Sequence, residues 1–307
     1  MVLFNRIRSW LSREGRPTTP ESSDDLFVLA GRLQTTLIKA GNIHRLAEAE
    51  FKVFSQWGDD GIIQYLIGMV DISKEVFIEF GVENYTEANT KFLLMNNNWK
   101  GLILDGSQEH IKVVKAARWF WKYDLTARAE FITRENINSI FEQEGFGGPI
   151  GLLSIDVDGN DYWIWNEINA VDPDMVIAEY NSVYGAALAV TIPYNPRFHR
   201  TTAHSSNLYW GASLSALVEL GEKKGYSFVG CNENGNNAYF VKREKAGSLR
   251  RVSTEEGYRI SRFRESRDAQ GNLTYLSGLK RLEEIADMEL VELHSGKVKT
   301  IRKLYNL

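Results

Sequence analysis

The chain has 307 residues, 43% of them hydrophobic, with 36 Lys+Arg against 40 Asp+Glu and a net charge of -4. That composition excludes a disordered chain and a protein that relies on non-specific phosphate-backbone binding, so no nucleic-acid partner is expected. A single cysteine, Cys231, excludes an intrachain disulfide and a cysteine-built zinc site, which makes a reducing cytoplasm the default compartment.

Residues 1–13 carry no secretory signal, because the apolar run stops at Phe4 and no small-residue cleavage site follows. Leu3, Ile7, Trp10 and Leu11 share one helical face, with Arg6, Arg8 and Arg13 elsewhere. Such a face packs on its own domain or on a second subunit to give a homodimer, or it makes peripheral contact with an anionic membrane. No apolar run reaches about 18 residues, so no transmembrane segment is expected. Residues 15–23 read as a loop. Leu26, Leu29, Leu33, Leu37 and Ile38 then predict a second amphipathic helix, capped by Ser23 or Asp24. Asp59 and Asp60 either cap a helix starting near Gly61 or face a pocket. Residues 1–74 thus form a helical N-terminal extension.

From 75 to 243 the pattern alternates. Strands are predicted at 75–80, 101–105, 129–133, 151–156 and 175–179. Helices are predicted at 88–97, 110–117, 137–144, 161–168 and 213–224. Two last strands, 226–230 and 237–241, are joined by an Asn- and Gly-rich link in which Asn232, Asn236 and Asn237 read as turn formers. This predicts a Rossmann-like α/β domain, a seven-stranded and mostly parallel sheet covered on both faces, with a C-terminal antiparallel hairpin. The tail, 244–307, is rich in Arg and Glu. Its helical spacing at Leu279, Leu282, Ile285 and Ala286 predicts a helical C-terminal extension.

Ligands of such sheets bind outside the carboxyl ends of the strands. Those ends read Glu79-Phe80-Gly81, Asp105-Gly106-Ser107, Asp156-Val157-Asp158-Gly159-Asn160-Asp161 and Glu179-Tyr180-Asn181. One acid at such a place is readily a helix cap; acids on four strands of one rim point to a ligand. The turn after strand one has no G-x-G-x-x-G and carries Glu83 and Glu87, a poor cradle for the pyrophosphate of a nicotinamide or flavin dinucleotide. A nucleoside with a cationic centre is compatible, and S-adenosylmethionine is one. Asp105 then suits ribose hydroxyls.

The runs Val-Phe-Ile-Glu-Phe-Gly-Val at 76–82, Leu-Ile-Leu-Asp-Gly-Ser at 102–107 and Leu-Ser-Ile-Asp-Val-Asp-Gly-Asn-Asp-Tyr at 153–162 resemble the class I S-adenosylmethionine-dependent methyltransferases, most closely the FkbM-like group. The resemblance covers about residues 75–243, and it lacks the family's usual second glycine in the first turn. It implies that Glu79 and Gly81 line the methionine and ribose part of the cofactor, and that Asp105 binds the ribose diol with Ser107 nearby. It further implies Glu135 against the adenine amine, and Asp156 beside the methyl group and the acceptor.

Methyl transfer to oxygen needs the acceptor positioned and its proton removed. The candidate bases are Asp156 and His204. The other route is a divalent cation, Mg²⁺, held by Asp156, Asp158 or Asp161 together with Glu179 and Asn181; some sugar O-methyltransferases of this layout carry such a site. The segment 182–208 reads as a functional loop or a lid, and Tyr184, Tyr194 and His199, with Tyr209 and Trp210 beyond, either suit a polyhydroxylated acceptor or bury the loop against the core. Arg262, Arg264, Arg267 and Asp268 read as a solvated charged face, with closure over an anionic acceptor as the alternative. The resulting expectation is O-methylation of a sugar, glycan or similar polar metabolite. A non-catalytic nucleotide- or glycan-binding protein competes with it, and a nicotinamide-dependent oxidoreductase is disfavoured.

Overall fold

The computed structural model describes residues 20–307. The expected helix bearing Leu3, Ile7, Trp10 and Leu11 lies outside the described residues. Helix α1 (Pro20–Ala40) starts ahead of the expected Ser23 cap. It packs through Val28 and Gly31, and a Cβ on Gly31 would stand 2.5 Å from the Phe92 ring. The leucines that predicted its buried face point outward instead, with Leu26, Leu33 and Leu37 more than 60% exposed (65%, 62% and 64%). Helix α2 (Asp59–Met69) follows. Asp60 does not cap it; its Oδ2 accepts from the backbone N of Val53, Phe54 and Ser55 at 2.7–2.8 Å and pins that loop. Asp59 accepts from Asn232 and Asn237 Nδ2 at 3.0 and 2.9 Å, tying α2 to the far edge of the sheet.

The central sheet is built from β1 (Val76–Phe80), β2 (Lys100–Asp105), β3 (Leu125–Ala129), β4 (Gly148–Ile155), β5 (Val171–Glu179), β7 (Tyr226–Cys231) and β8 (Asn237–Lys242). The spatial order is β3-β2-β1-β4-β5-β8-β7. The first five strands pair in parallel, and β8 joins β5 and β7 antiparallel. This is the predicted Rossmann-like architecture with its terminal hairpin. The chain leaves β1 in one direction to β2 and β3, then returns to the other side of β1 with β4, which makes the β1/β4 boundary the switch point.

Strand β1 is buried at all five positions, as a strand covered on both faces must be. Val76, Ile78 and Phe80 pack with α5 (Ile137–Gln143), α6 (Asp161–Glu167) and α8 (Leu214–Lys223). Phe77 faces the opposite layer with α2, α3 (Lys91–Asn97) and α4 (Gln108–Ala116). Each fully buried Phe or Ile here contributes about 1.5–3 kcal/mol.

Two expectations need correction. The third strand runs over Leu125–Ala129, with Ala129 paired to Asp105, and not over 129–133. It is the sheet's edge, where pairing stops with the end of β2, and the more apolar Phe131 and Ile132 continue into the rim. The tail is only partly helical. After the short helix α9 (Thr254–Gly257), strands β9 (Glu289–Glu292) and β10 (Lys297–Thr300) form a hairpin on β6 (Val190–Thr191), flanked by short helices α10 (Leu279–Glu284) and α11 (Ile301–Tyr305). Leu282, Ile285, Leu290 and Ile301 bury against Tyr184, Val190 and Ile192, so the tail seals the segment that follows β5. Among the described residues no helix is long and apolar enough to cross a membrane.

Candidate active site

A cavity of about 760 Å³ opens at the carboxyl edge of the sheet, over the switch point. Its lining holds six glutamates (79, 83, 87, 130, 179, 265), three aspartates (105, 156, 158), one arginine (200) and one histidine (199). The site is therefore strongly anionic, and its demand is for a cationic or neutral ligand.

Gly81 sets the first turn. Its φ is +66°, and a Cβ there would lie 1.8 Å from the Asp156 carbonyl oxygen. The close approach that requires glycine is to the end of β4, backbone on backbone, and Gly81 also lines the cavity. Glu79 is buried and holds the same turn: Oε1 accepts from Asn89 N at 2.8 Å, and Oε2 from Thr90 N and Oγ1 at 3.0 and 2.5 Å. Burial pushes its carboxyl up to about 7.

Asp105 ends β2. Its Oδ2 accepts from Glu83 N at 2.8 Å, while Oδ1 accepts from Ser107 N at 2.8 Å and meets His110 Nδ1 at 3.1 Å. An ionised carboxylate offers about four acceptor sites, so these contacts orient Asp105 in the cavity wall without exhausting it. Ser107 caps α4, its Oγ accepting from His110 N at 3.3 Å.

The sheet register brings the next two acids together. Ile155 on β4 pairs with Ala178 on β5, so Asp156 and Glu179, each one residue further, stand side by side. Asp156, Asp158 and Glu179 present carboxylate oxygens within 4.8 Å of one another. Burial, followed by the neighbouring acid charges, holds Asp156 and Glu179 well above the usual carboxylate range. Glu179 Oε2 is buried without a hydrogen-bond partner. Arg200 is the local counter-ion. It meets Asp158 at 2.7 Å and Glu265 at 3.6 Å, lies 4.9 Å over the Trp210 ring, and donates through Nε to the Asn207 carbonyl at 2.9 Å.

Several sequence candidates stand elsewhere. Asp161 closes its own turn, accepting from Val157 and Gly159 N at 2.9 and 3.0 Å. Asn181 ties Leu208 and Trp210 carbonyls at 2.9 and 3.0 Å. Glu135 lies away from the cavity lining, salt-bridged to Arg134 at 2.9 Å and accepting from the Tyr194 hydroxyl; the earlier end of β3 carries it past the rim. His204 is likewise outside the lining and meets Ser206 Oγ at 2.8 Å. The cavity instead holds His199 and Phe131, whose rings pack with centroids 5.1 Å apart. The sequence did not single out Arg200, Glu265 or Phe131. His199 was noted only as one of the lid's rings, and its place beside Arg200 is the one local signal, a basic pair at the start of α7 (Arg200–Ala203).

No family model matches the chain, and no curated protein matches it. Among solved structures, an O-methyltransferase from Bacillus cereus in complex with SAH aligns with 77% of this chain and 97% of its own, at 12% identity and a TM-score of 0.41. A putative O-methyltransferase from Klebsiella pneumoniae aligns with 77% of this chain and 96% of its own, at 12% identity and a TM-score of 0.38. The N-terminal domain of EvdMO1, solved in the presence of SAH and D-fucose, aligns with 68% of this chain and 94% of its own, at 11% identity and a TM-score of 0.38.

Proposed function

We propose that the protein is an S-adenosylmethionine-dependent O-methyltransferase, of the FkbM-like kind, acting on a hydroxyl of a sugar, glycan or similar polar metabolite. One observation carries the reading: nine acidic side chains and a single arginine line a cavity at the switch point of a Rossmann-like sheet. A sulfonium and an ammonium are favoured there, and a dinucleotide pyrophosphate is opposed by Glu83 and Glu87 in the first turn.

When bound, the cofactor supplies an activated methyl carbon. The chain's residues supply position and a proton acceptor. Asp105, fixed by Glu83 and Ser107 amides, is placed for ribose hydroxyls. Phe131 and His199 offer ring faces for adenine at the end of β3, in place of Glu135. Asp156 is the candidate base: a carboxylate that burial and like charge make unusually basic accepts a hydroxyl proton more readily than an exposed one. The trio Asp156, Asp158 and Glu179 also fits a hard divalent cation, being all oxygen, closely grouped and with a buried unpartnered Glu179 Oε2. Mg²⁺ held there would lower the pKa of the acceptor hydroxyl. The outward leucines of α1 favour a homodimer through that helix.

Calorimetry with S-adenosylmethionine, its demethylated product, NAD and NADP tests the cofactor. Binding of NAD but not of S-adenosylmethionine refutes the reading. Binding of S-adenosylmethionine with no product from any hydroxylated acceptor leaves the non-catalytic alternative.

A further inference from the structure

Among the described residues, two pure hydrogen-bond donors are buried without an acceptor, the Trp57 indole Nε1 and the Arg281 Nε. Orphaned buried N–H groups are rare, rarer than under-satisfied acceptors. Both side chains lie against one ring. Trp57 stacks on Phe263 with centroids 6.4 Å apart and 13° between planes, and Arg281 Cζ stands 6.0 Å from the Phe263 centroid.

Arg281 is 6% exposed, and its hydrogen bond is donated from Nη1 to Ser261 Oγ at 2.5 Å. No carboxylate among the described residues pairs with it. Burial makes its guanidinium easier to deprotonate than an exposed one; the Tyr258 hydroxyl partly opposes this and the like charge of Arg200 adds to it. A buried cation without a counter-charge is among the costliest arrangements in a protein interior.

Trp57, Phe263 and Arg281 do not themselves line the cavity, but the first two have chain neighbours that do. Residues 258–265 cross the carboxyl end of β5: Tyr258 OH donates to the Ser182 carbonyl at 2.7 Å, and Ser261 N to Ser182 Oγ at 3.0 Å. Two residues beyond Phe263, about 7 Å of extended chain, Glu265 lines the cavity and meets Arg200. On the other side Trp57 directly follows Gln56, also in the lining.

We propose that Arg281 and Trp57 form an oxyanion subsite that takes a carboxylate or phosphate carried by the acceptor, away from the hydroxyl that is methylated. The word acceptor rests on the methyltransferase reading; the anion binding does not. A guanidinium matches a planar or tetrahedral oxyanion by paired N–H donation, and the indole adds a further donor. A neutral hydroxyl would leave the Arg281 charge uncompensated. An anion at this end and an acid-lined wall at the other give the site two poles of opposite sign, and these decide which end of an acceptor enters first.

The test reads the tryptophan indoles by ¹⁵N NMR, where the chain's 8 Trp give separate N–H resonances and Trp57→Phe identifies one. At fixed ionic strength the full chain is titrated with acetate, inorganic phosphate, glucuronate, glucose 6-phosphate and methyl glucoside. The Trp57 resonance is expected to shift saturably with the oxyanions and not with methyl glucoside. Affinity should fall at least about tenfold in Arg281→Gln and be partly kept in Arg281→Lys. Tighter binding of the sugar acids than of the simple anions assigns the subsite to an acceptor group; equal binding assigns it to a free anion. An unmoved Trp57 resonance in the wild-type chain, or the same affinity in a folded Arg281→Gln, overturns the proposal. If that variant does not fold, the wild-type titration decides alone. Cofactor calorimetry on the same samples keeps the two readings apart: bound S-adenosylmethionine with an unmoved indole sinks only the subsite.

Discussion

Substituting Gly81 by alanine probes the joint on which the site depends. The new Cβ would lie 1.8 Å from the Asp156 oxygen and 3.0 Å from its carbonyl carbon, so the oxygen contact has to open to beyond 3.0 Å. Asp161 clamps the end of β4 by accepting from Val157 and Gly159, so the first turn is the part that yields. Alanine at φ +66° costs about 1–2 kcal/mol. Moving the turn also strains the bond from Gly81 N to the Leu104 carbonyl, 3.0 Å long, for about 1 kcal/mol more. The expected loss of stability is therefore about 2–3 kcal/mol. A displacement of about 1 Å in the first turn, which lines the cavity, costs on the order of 100-fold in turnover. Urea melts give the first quantity, and methyl-transfer assays with calorimetry of S-adenosylmethionine give the second. An unchanged urea midpoint together with wild-type cofactor affinity would refute the argument that this contact sets the site.

Other predictions concern the acids. Burial raises the Glu79 carboxyl from 4.5 to about 7, so the native state binds the extra proton; its stabilisation is full below about pH 4.5 and is lost as pH climbs through 7. The loss amounts to about 3 kcal/mol, and Glu79→Gln should flatten that slope; a parallel slope in the variant rejects Glu79 as its source. Glu179→Gln removes like charge from the buried trio, so at pH 8 its denaturation midpoint should rise while turnover falls at least about 100-fold. Activity that survives both this change and EDTA would end the case for a cation. Asp105→Ala should weaken S-adenosylmethionine at least about tenfold, and unchanged affinity removes its ribose role. His204→Ala should leave turnover within about twofold of wild type, because His204 stands outside the cavity; a large loss returns it to the candidate bases.

The architecture was legible because parallel strands buried on both faces are near-continuous apolar runs, and 75–80, 101–105 and 151–156 are such runs. The edge strand was not, since Leu125–Ala129 needs apolar residues less than an interior strand does, and its slip carried Glu135 off the rim. The carboxylates at the strand ends are read directly from where strands stop, and register alone then sets Asp156 beside Glu179. The rest of the cavity comes from Arg200 and Glu265, brought in from far along the chain by packing with no local pattern to announce it. Helix α1 inverts its apparent polarity for a related reason: periodicity locates an apolar stripe but does not say which neighbour it meets.

The way the tail seals the segment after β5 has a consequence for how the protein is made. The seven strands are complete once Lys242 has left the ribosome, yet Glu265 and the α10 and β9–β10 elements come later. A nascent chain stalled at that point would own a finished sheet and an open, half-walled vestibule. The cavity wall is complete only once Glu265 has emerged, and a chain cut at Lys242 would keep the sheet while leaving Tyr184, Val190 and Ile192 without the tail that buries them.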